Sequence, residues 1–322
     1  MILTRARNKC WRKRQNYENQ KLRLGETAVN PDLPVSVVIP TLGREDYLRT
    51  VLEGLFVQTY TNFEIIVVDQ SDQISPAIVE LGRSSPRQFR LIHDTDKGLA
   101  RARNIGLKHS EGKLFLGLED DLKIVHNDLI RAHVEVYSDP TIGGTSGRVI
   151  EMKHTHYRGR VGGMHPLLCV PIGQGDGEQR QFIETVKGGN MSFLKDVLMR
   201  VGGFDERFGQ PSIYEDTDVS LKIRRLGYRL LFVPEASVIH LSAPTGGERD
   251  KANPAHFRFV AYRDRVLLFR NNFHPWLYPV FLSANIVSAF RPIVKFDWRS
   301  AWLALSGLWS GLRRFGGRNV RR

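Results

Sequence analysis

Three carboxylate-bearing segments close apolar runs: Asp69 in FEIIVVDQSD, Glu119-Asp120-Asp121 in KLFLGLEDD, and Glu215-Asp216 in IYEDTDVSLKIRRLGY. Acidic groups gathered at adjacent strand ends can hold a metal ion, an anionic ligand and a proton acceptor together, which is the equipment of an enzyme. In extended backbone, residues two apart project to one side, so Glu119 and Asp121 can face a ligand while Asp120 turns into the structure. Two oxygen donors with open positions beside them suit Mg2+ or Mn2+.

These residues need strands to carry them. VSVVIP, EIIVV, FRLIH and LFLGL are short, continuous apolar runs of the kind found in strands covered on both faces. Helical stretches lie between them. EDYLRTVLEGLFVQ puts Leu48, Val51, Leu52 and Leu55 on one face, SPAIVELGR starts with Ser75 as cap and Pro76 in the first turn, and GLARARNIGLKHSEG runs to Gly112 as C-terminal cap. The alternation predicts an α/β fold with a mostly parallel sheet, and ligands in such sheets bind at the carboxyl ends of the strands. Asp69, Asp94, Asp96 and the 119–121 cluster fall there. After residue 140 the pattern loosens: residues 153–181 read as a long loop, followed by a helix around KDVLMRVG, a second from Asp216 to Leu226, and the strand RLLFVP.

Charge is unevenly placed. The chain carries +13, with 47 Lys and Arg against 34 Asp and Glu; residues 1–30 hold eight basic and two acidic residues, and residues 291–322 eight and one, so the body between them is neutral. Basic ends suit an anionic membrane surface. The C-terminal end also has apolar company: WLYPVFLSANIVSAF is too short to span a bilayer, and in AWLALSGLWSGLRR the residues Trp302, Leu305, Trp309 and Leu312 recur on one helical face. That pattern predicts helices lying in the interface, with packing on the body as the alternative. Nucleic acid is not an expected partner, because the basic residues are not interleaved with stacking aromatics. Two distant cysteines, Cys10 and Cys169, and no N-terminal apolar core of a signal make a cytoplasmic protein the expectation.

The segments PVSVVIPTLGRED, FEIIVVDQSD, DKGLARARNIGL, LGLEDDLKIVHNDLI, GGNMSF, GGFDERF and IYEDTDVSLKIRRLGYRLLFVPEASVIH together resemble, in order and spacing, the family 2 glycosyltransferases with the GT-A nucleotide-sugar-binding fold. The resemblance implies an inverting sugar transfer from a nucleotide diphosphate sugar. It places Pro40, Thr41, Asp69, Lys97, Gly98, Arg103, Asn104 and Asp120 at the donor, with Asp69 on the nucleobase. Asp121 is the implied ligand of Mg2+ or Mn2+, joined by Glu119 or His240. Asp216 is the implied catalytic base, and Gly188, Gly189, Asn190 and Glu215 line the acceptor side.

Two motifs depart from the family pattern: EDD replaces Asp-x-Asp, and DQSD replaces a pair of acids followed by Gly-Ser. The implied organisation is a basic leader over 1–30, a catalytic domain over 31–250 divided near 140, and a helical, membrane-associating region over 251–322. The acceptor is expected to be a glycan or lipid-linked glycan in cell-surface polysaccharide synthesis, with the enzyme peripheral on the inner face of the plasma membrane. No Gln-x-x-Arg-Trp segment of processive synthases occurs. A nucleotidyltransferase and a non-catalytic, basic-tailed binding protein remain as the other readings.

Overall fold

In the computed structural model, residues 32–151, 161–173, 175–247, 254–290, 292 and 297–315 are described. The basic leader expected over 1–30 and the basic residues beyond 315 lie outside them. The continuous apolar runs form β1 (Val35–Thr41), β2 (Phe63–Asp69), β3 (Gln88–His93) and β4 (Leu114–Leu118), all parallel, in the order β3-β2-β1-β4. Every residue of β1, β2 and β4 is buried, as runs without alternation require. β3 differs from that expectation because it is the sheet edge, and its side chains are half-buried or exposed.

Three helices connect these strands: α1 (Glu45–Phe56), α2 (Pro76–Arg83) and α3 (Leu99–His109). Ser75 caps α2 by accepting the amide of Ala77 at 3.2 Å. α3 stops at His109, before the expected cap Gly112. Gly112 serves the approach to β1 instead: its amide donates to Ser36 Oγ at 2.8 Å, and a Cβ there would lie 2.6 Å from the Ser36 nitrogen. Alternate residues of β1 feed two cores. Val35, Val37 and Ile39 pack with α1, whereas Val38 packs with α3.

Beyond β4 the sheet becomes mixed. β5 (Leu122–Ile124) and α4 (Leu129–Glu135) lead to β6 (Ile142–Glu151); a small hairpin, β7 (Gly163–Met164) and β8 (Pro171–Ile172), occupies the segment read as loop. β9 (Gln181–Ile183) and β10 (Asn190–Leu194) precede α5 (Lys195–Arg200), α6 (Glu215–Arg225) and β11 (Arg229–His240). The order continues β4-β10-β6-β11-β5, with β10 antiparallel to both its neighbours and β6 parallel to β11. The β6–β11 register shifts between Val233 and Ser237, so that the two strands re-pair with His240 opposite Glu151.

α7 (Pro254–Asn272), α8 (Tyr278–Phe290) and α9 (Trp298–Phe315) form a separate apolar cluster around Tyr262, Val266, Phe269, Phe281 and Leu308. None of the described helices is long and apolar enough to cross a membrane. α9 both packs and presents. Its small residues Ala301, Ala304, Gly307 and Gly311 face the body, while Trp298, Trp302 and Trp309 are 63%, 70% and 58% exposed. The glycines that weaken an isolated helix let two backbones meet: a Cβ on Gly307 would lie 2.3 Å from the Phe259 carbonyl oxygen of α7. Gly307→Ala is therefore expected to destabilise the protein by about 1–3 kcal/mol in urea unfolding, despite the better helix propensity of alanine, whereas the neighbouring Ser306→Ala stays close to wild type.

Candidate active site

β4 ends at Leu118, and the chain turns through Glu119, Asp120 and Asp121 before entering β5. Pairing of β5 with β11 sets His240 opposite Leu122, beside this turn. Asp121 is fixed at both backbone and side chain: its carbonyl accepts Leu241 N at 2.9 Å and its Oδ2 accepts Ala243 N at 3.0 Å. His240 Nε2 stands 3.2 Å from Asp121 Oδ1 and 3.8 Å from Glu119 Oε2. One ligand atom from each of these three residues falls within 4.8 Å of the others.

Asp121 Oδ1 is fully buried and lacks a well-directed hydrogen bond, although it is aimed into this cluster. A buried carboxylate oxygen in that condition is costly without a positive charge beside it, which the His240 imidazolium at 3.2 Å or a bound cation in its place can supply. Two carboxylates and an imidazole fit Mg2+ or Mn2+. Burial would raise the Asp121 carboxyl, but His240, Arg44 and the Ala243 amide outweigh it and hold the group below its usual range. Asp120 receives Thr41 Oγ1 at 2.8 Å and Arg44 Nη1 at 2.9 Å, and the same Arg44 nitrogen lies 3.3 Å from Asp121 Oδ2. Desolvation dominates there and lifts its carboxyl to about 6, even with Arg44 beside it.

His240 is held from behind. Its Nδ1 meets Glu151 Oε2 at 2.7 Å, and Glu151 Oε1 in turn meets Lys187 Nζ at 2.8 Å. Burial disfavours the imidazolium, yet the hydrogen bonds to Asp121 and Glu151 and the charge of Glu119 carry His240 up to about 10. The same His240 hydrogen bond, with help from Lys187, brings Glu151 down to about 2.

The other carboxylate centre lies at the start of α6. Asp216 Oδ2 accepts the amide of Gly188 at 2.8 Å, and its Oδ1 accepts Thr217 N at 2.5 Å. Burial first, and the charge of Glu215 second, raise Asp216 to about 6 against the opposing pull of Arg103. Glu215 is itself neutralised: it receives Arg103 Nη1 and, at 3.0 Å, Ser212 Oγ. Arg103 Nη2 also donates to the Gly188 carbonyl at 2.9 Å, so one buried guanidinium joins α3, the 188–189 turn and α6. Tyr214, just before the helix, has φ of 77°, a strained value for a residue with a side chain.

Both centres open onto one cavity of about 630 Å3. Pro40, Thr41, Glu119, Asp120, Asp121, Gly188, Gly189, Glu215, Asp216 and His240 line it. The remaining residues expected at the site do not reach its wall. Asp69 accepts Ser71 N at 2.8 Å at the end of β2, and its neighbour Gln70 lines the cavity in its place. Lys97 pairs at 3.2 Å with Asp72, and Gly98 caps α3 while donating to Gln70 Oε1 at 3.0 Å. The Asn104 amide is spent on both backbone groups of Phe204. Asn190 is fully buried between His133 Nε2 at 2.9 Å and the Ala236 carbonyl at 2.8 Å. Arg103 sits behind the wall as the clamp just described.

Arg44, Gln70, Glu151 and Lys187 are among the lining residues that the sequence did not single out as site residues. Glu151 obeys the same rule that marked the other acids, since it closes a strand, β6.

Residues 36–192 match the model of glycosyl transferase family 2. The chain carries a family 2 glycosyltransferase domain. An O-antigen biosynthesis protein of Myxococcus xanthus is 25% identical to it over 258 residues, covering 76% of this chain. The chain spans 19% and 25% of the lengths of the first two curated relatives it matches. Among solved structures, a mannosyltransferase from Pyrobaculum calidifontis, in complex with GDP-Man and Mn2+, superposes with a TM-score of 0.56 at 18% identity, covering 95% of this chain and 83% of its own. S. aureus TarS 1–349 in complex with UDP-GlcNAc gives 0.53 at 15% identity, covering 90% and 93%. These likenesses show the GT-A glycosyltransferase fold.

A carboxylate on the far nitrogen of a metal-binding histidine fixes its tautomer and orientation, and losing it typically weakens metal affinity 10- to 100-fold. Glu151→Gln is expected to weaken Mn2+ binding in that range when free Mn2+ is titrated by electron paramagnetic resonance without donor.

Proposed function

We propose that this glycosyltransferase domain moves a sugar from a nucleoside diphosphate sugar to an acceptor hydroxyl by a single inverting displacement. One observation supports this reading above the others: the Gly188-Gly189 turn spans the two carboxylate centres. At one end Gly188 N donates to Asp216, and at the other the Gly189 carbonyl accepts Glu119 N at 3.2 Å. Side chains there would crowd both carboxylates, because a Cβ on Gly188 would lie 3.0 Å from Asp216 Oδ2 and one on Gly189 would lie 3.0 Å from Glu119 Oε2. A proton acceptor and a cation-binding cluster thus share one wall of one cavity.

Asp216 takes the acceptor proton. At pH 7 a carboxyl raised to about 6 is mostly ionised, yet more basic than an ordinary aspartate. The amides of Gly188 and Thr217 orient it, and the Arg103–Glu215 pair fixes those amides. Asp121, Glu119 and His240, the last giving up its Nε2 proton on binding, would hold Mg2+ or Mn2+, which would supply charge neutralisation for the departing diphosphate. Glu151 presents His240 with Nε2 toward the cluster. Thr41, Arg44 and Gln70 form the donor end of the cavity.

The names of similar proteins support the substrate class: GDP-Man and UDP-GlcNAc are nucleoside diphosphate sugars, and the Myxococcus relative serves O-antigen synthesis. A glycan or lipid-linked glycan acceptor in cell-surface polysaccharide synthesis follows from them. In the same reading residues 31–250 are the catalytic unit. Residues 251–322 rest on the anionic, cytoplasmic face of a membrane, with the exposed tryptophans of α9 at headgroup level and Arg313 and Arg314 beside them.

Replacing the base tests the chemistry. Asp216→Asn is expected to lower transfer from the donor by 10²- to 10⁴-fold while Mn2+ binding stays at the wild-type level; transfer at the wild-type rate would remove Asp216 from the mechanism. The membrane reading has its own readout: Trp302→Ser with Trp309→Ser should release the protein from phosphatidylglycerol vesicles without changing its Mn2+ affinity.

A further inference from the structure

A second concavity, of about 550 Å3, lies between α8 and the β7–β8 hairpin. Its walls are Leu167 and Leu168 from the hairpin and Pro279, Val280, Ala284 and Val287 from α8, with Val280 47% and Val287 65% exposed. Two of the polar groups at its rim are used internally: His165 Nδ1 accepts the Leu168 amide at 3.0 Å, and Ser288 Oγ bonds Tyr262 Oη at 3.0 Å. An apolar groove beside a polar cavity is a candidate seat for an apolar group.

Its position identifies the occupant. The hairpin is a partition: Val161, Gly162, Pro171, Ile172 and Gly173 line the catalytic cavity, while His165, Leu167 and Leu168 line the groove. The partition is tied to the base. Fully buried Asn285 of α8 donates to the Leu168 carbonyl at 3.4 Å and accepts Arg265 Nη1 at 3.1 Å, and Arg265 Nε reaches Tyr214 Oη at 3.5 Å, two residues before Asp216. An apolar groove and a polar cavity on two sides of one hairpin suit a ligand that is apolar at one end and hydroxylated at the other. The neighbouring α9 adds exposed tryptophans and arginines, the surface through which such a molecule would arrive from a bilayer.

We propose that this groove receives the hydrocarbon chain of an amphiphilic acceptor whose sugar hydroxyl enters the catalytic cavity. The second half of that statement rests on the proposed transfer reaction; the groove itself is tested without donor. Maltose and its hexyl, octyl and decyl glycosides, each below its micelle concentration, are titrated calorimetrically into the full chain. Affinity should rise roughly fourfold per added methylene until the groove is filled, with maltose alone not binding. Ala284→Trp, which fills the groove, and Leu167→Gln, a surface change in the hairpin, should each weaken decyl maltoside at least tenfold and flatten the chain-length series. Trp302→Ser should leave the series intact.

The proposal is overturned if both groove variants keep the wild-type series, or if Trp302→Ser flattens it instead. It is also overturned if the wild-type chain sediments as a dimer that Ala284→Trp converts to monomer, since the groove then belongs to a second copy. Normal transfer by Asp216→Asn alongside a groove-dependent series would remove the catalytic reading and leave the groove standing.

Discussion

The hydrogen bond from the Gly188 amide to Asp216 is the contact on which the site depends. It fixes the distance between a carboxylate on a helix N-terminus and a turn that leads directly into β10, the antiparallel strand at the centre of the mixed half-sheet. Because the Gly189 carbonyl then meets the Glu119 amide, the position of α6 is transmitted to the end of β4 through the Asp216 carboxylate and the backbone of the Gly188-Gly189 turn. Below the turn, His133, Thr145, Ser192 and Asn190 form a fully buried hydrogen-bonded network, and burial drives His133 down to about 4, so it remains a neutral connector. A satisfied polar network of this kind specifies one arrangement of the strands above it.

Opposing charges are spread across elements that the chain visits far apart. Arg44, in the loop after β1, contacts Asp120 and lies 3.3 Å from Asp121, and its remaining donors go to the carbonyls of Thr245 and Gly246. It therefore ties the first strand, the acidic turn and the segment after β11. Burial disfavours its charge, but the surrounding acids more than compensate and raise it. Asp120 spends its carboxylate on Thr41 and Arg44 at the cavity wall, while Glu119 and Asp121 stand beside His240.

Much of the fold was legible because its signals are local. Continuous apolar runs marked β1, β2 and β4, Ser75-Pro76 marked the start of α2, and Asp216 stood where a helix begins. The same local signal, an acid closing a strand, marked Glu119 and Asp121, which the fold brings to the cavity wall. Partners far along the chain were not legible: nothing near Asn104 or Asn190 announces that Phe204 or His133 and Ala236 will consume their amides, and nothing near Arg103 announces Glu215. In α9 the spacing of Trp302 and Trp309 defined a face, but the direction of packing was decided by the small residues opposite, which admit the backbone of α7.

The bulge in β11 carries a lesson about length. Between Val233 and Ser237 the strand takes up three more residues than β6 does, and pairing resumes with His240 opposite Glu151. Side chains of a strand alternate in direction, so each half of β11 needs its own register to aim its residues. The half from Ser237 onward is held by β6 on one side and β5 on the other, with His240 opposite both Glu151 and Leu122. The extra chain length between 233 and 237 thus uncouples the placement of His240 from the register of the first half of its own strand.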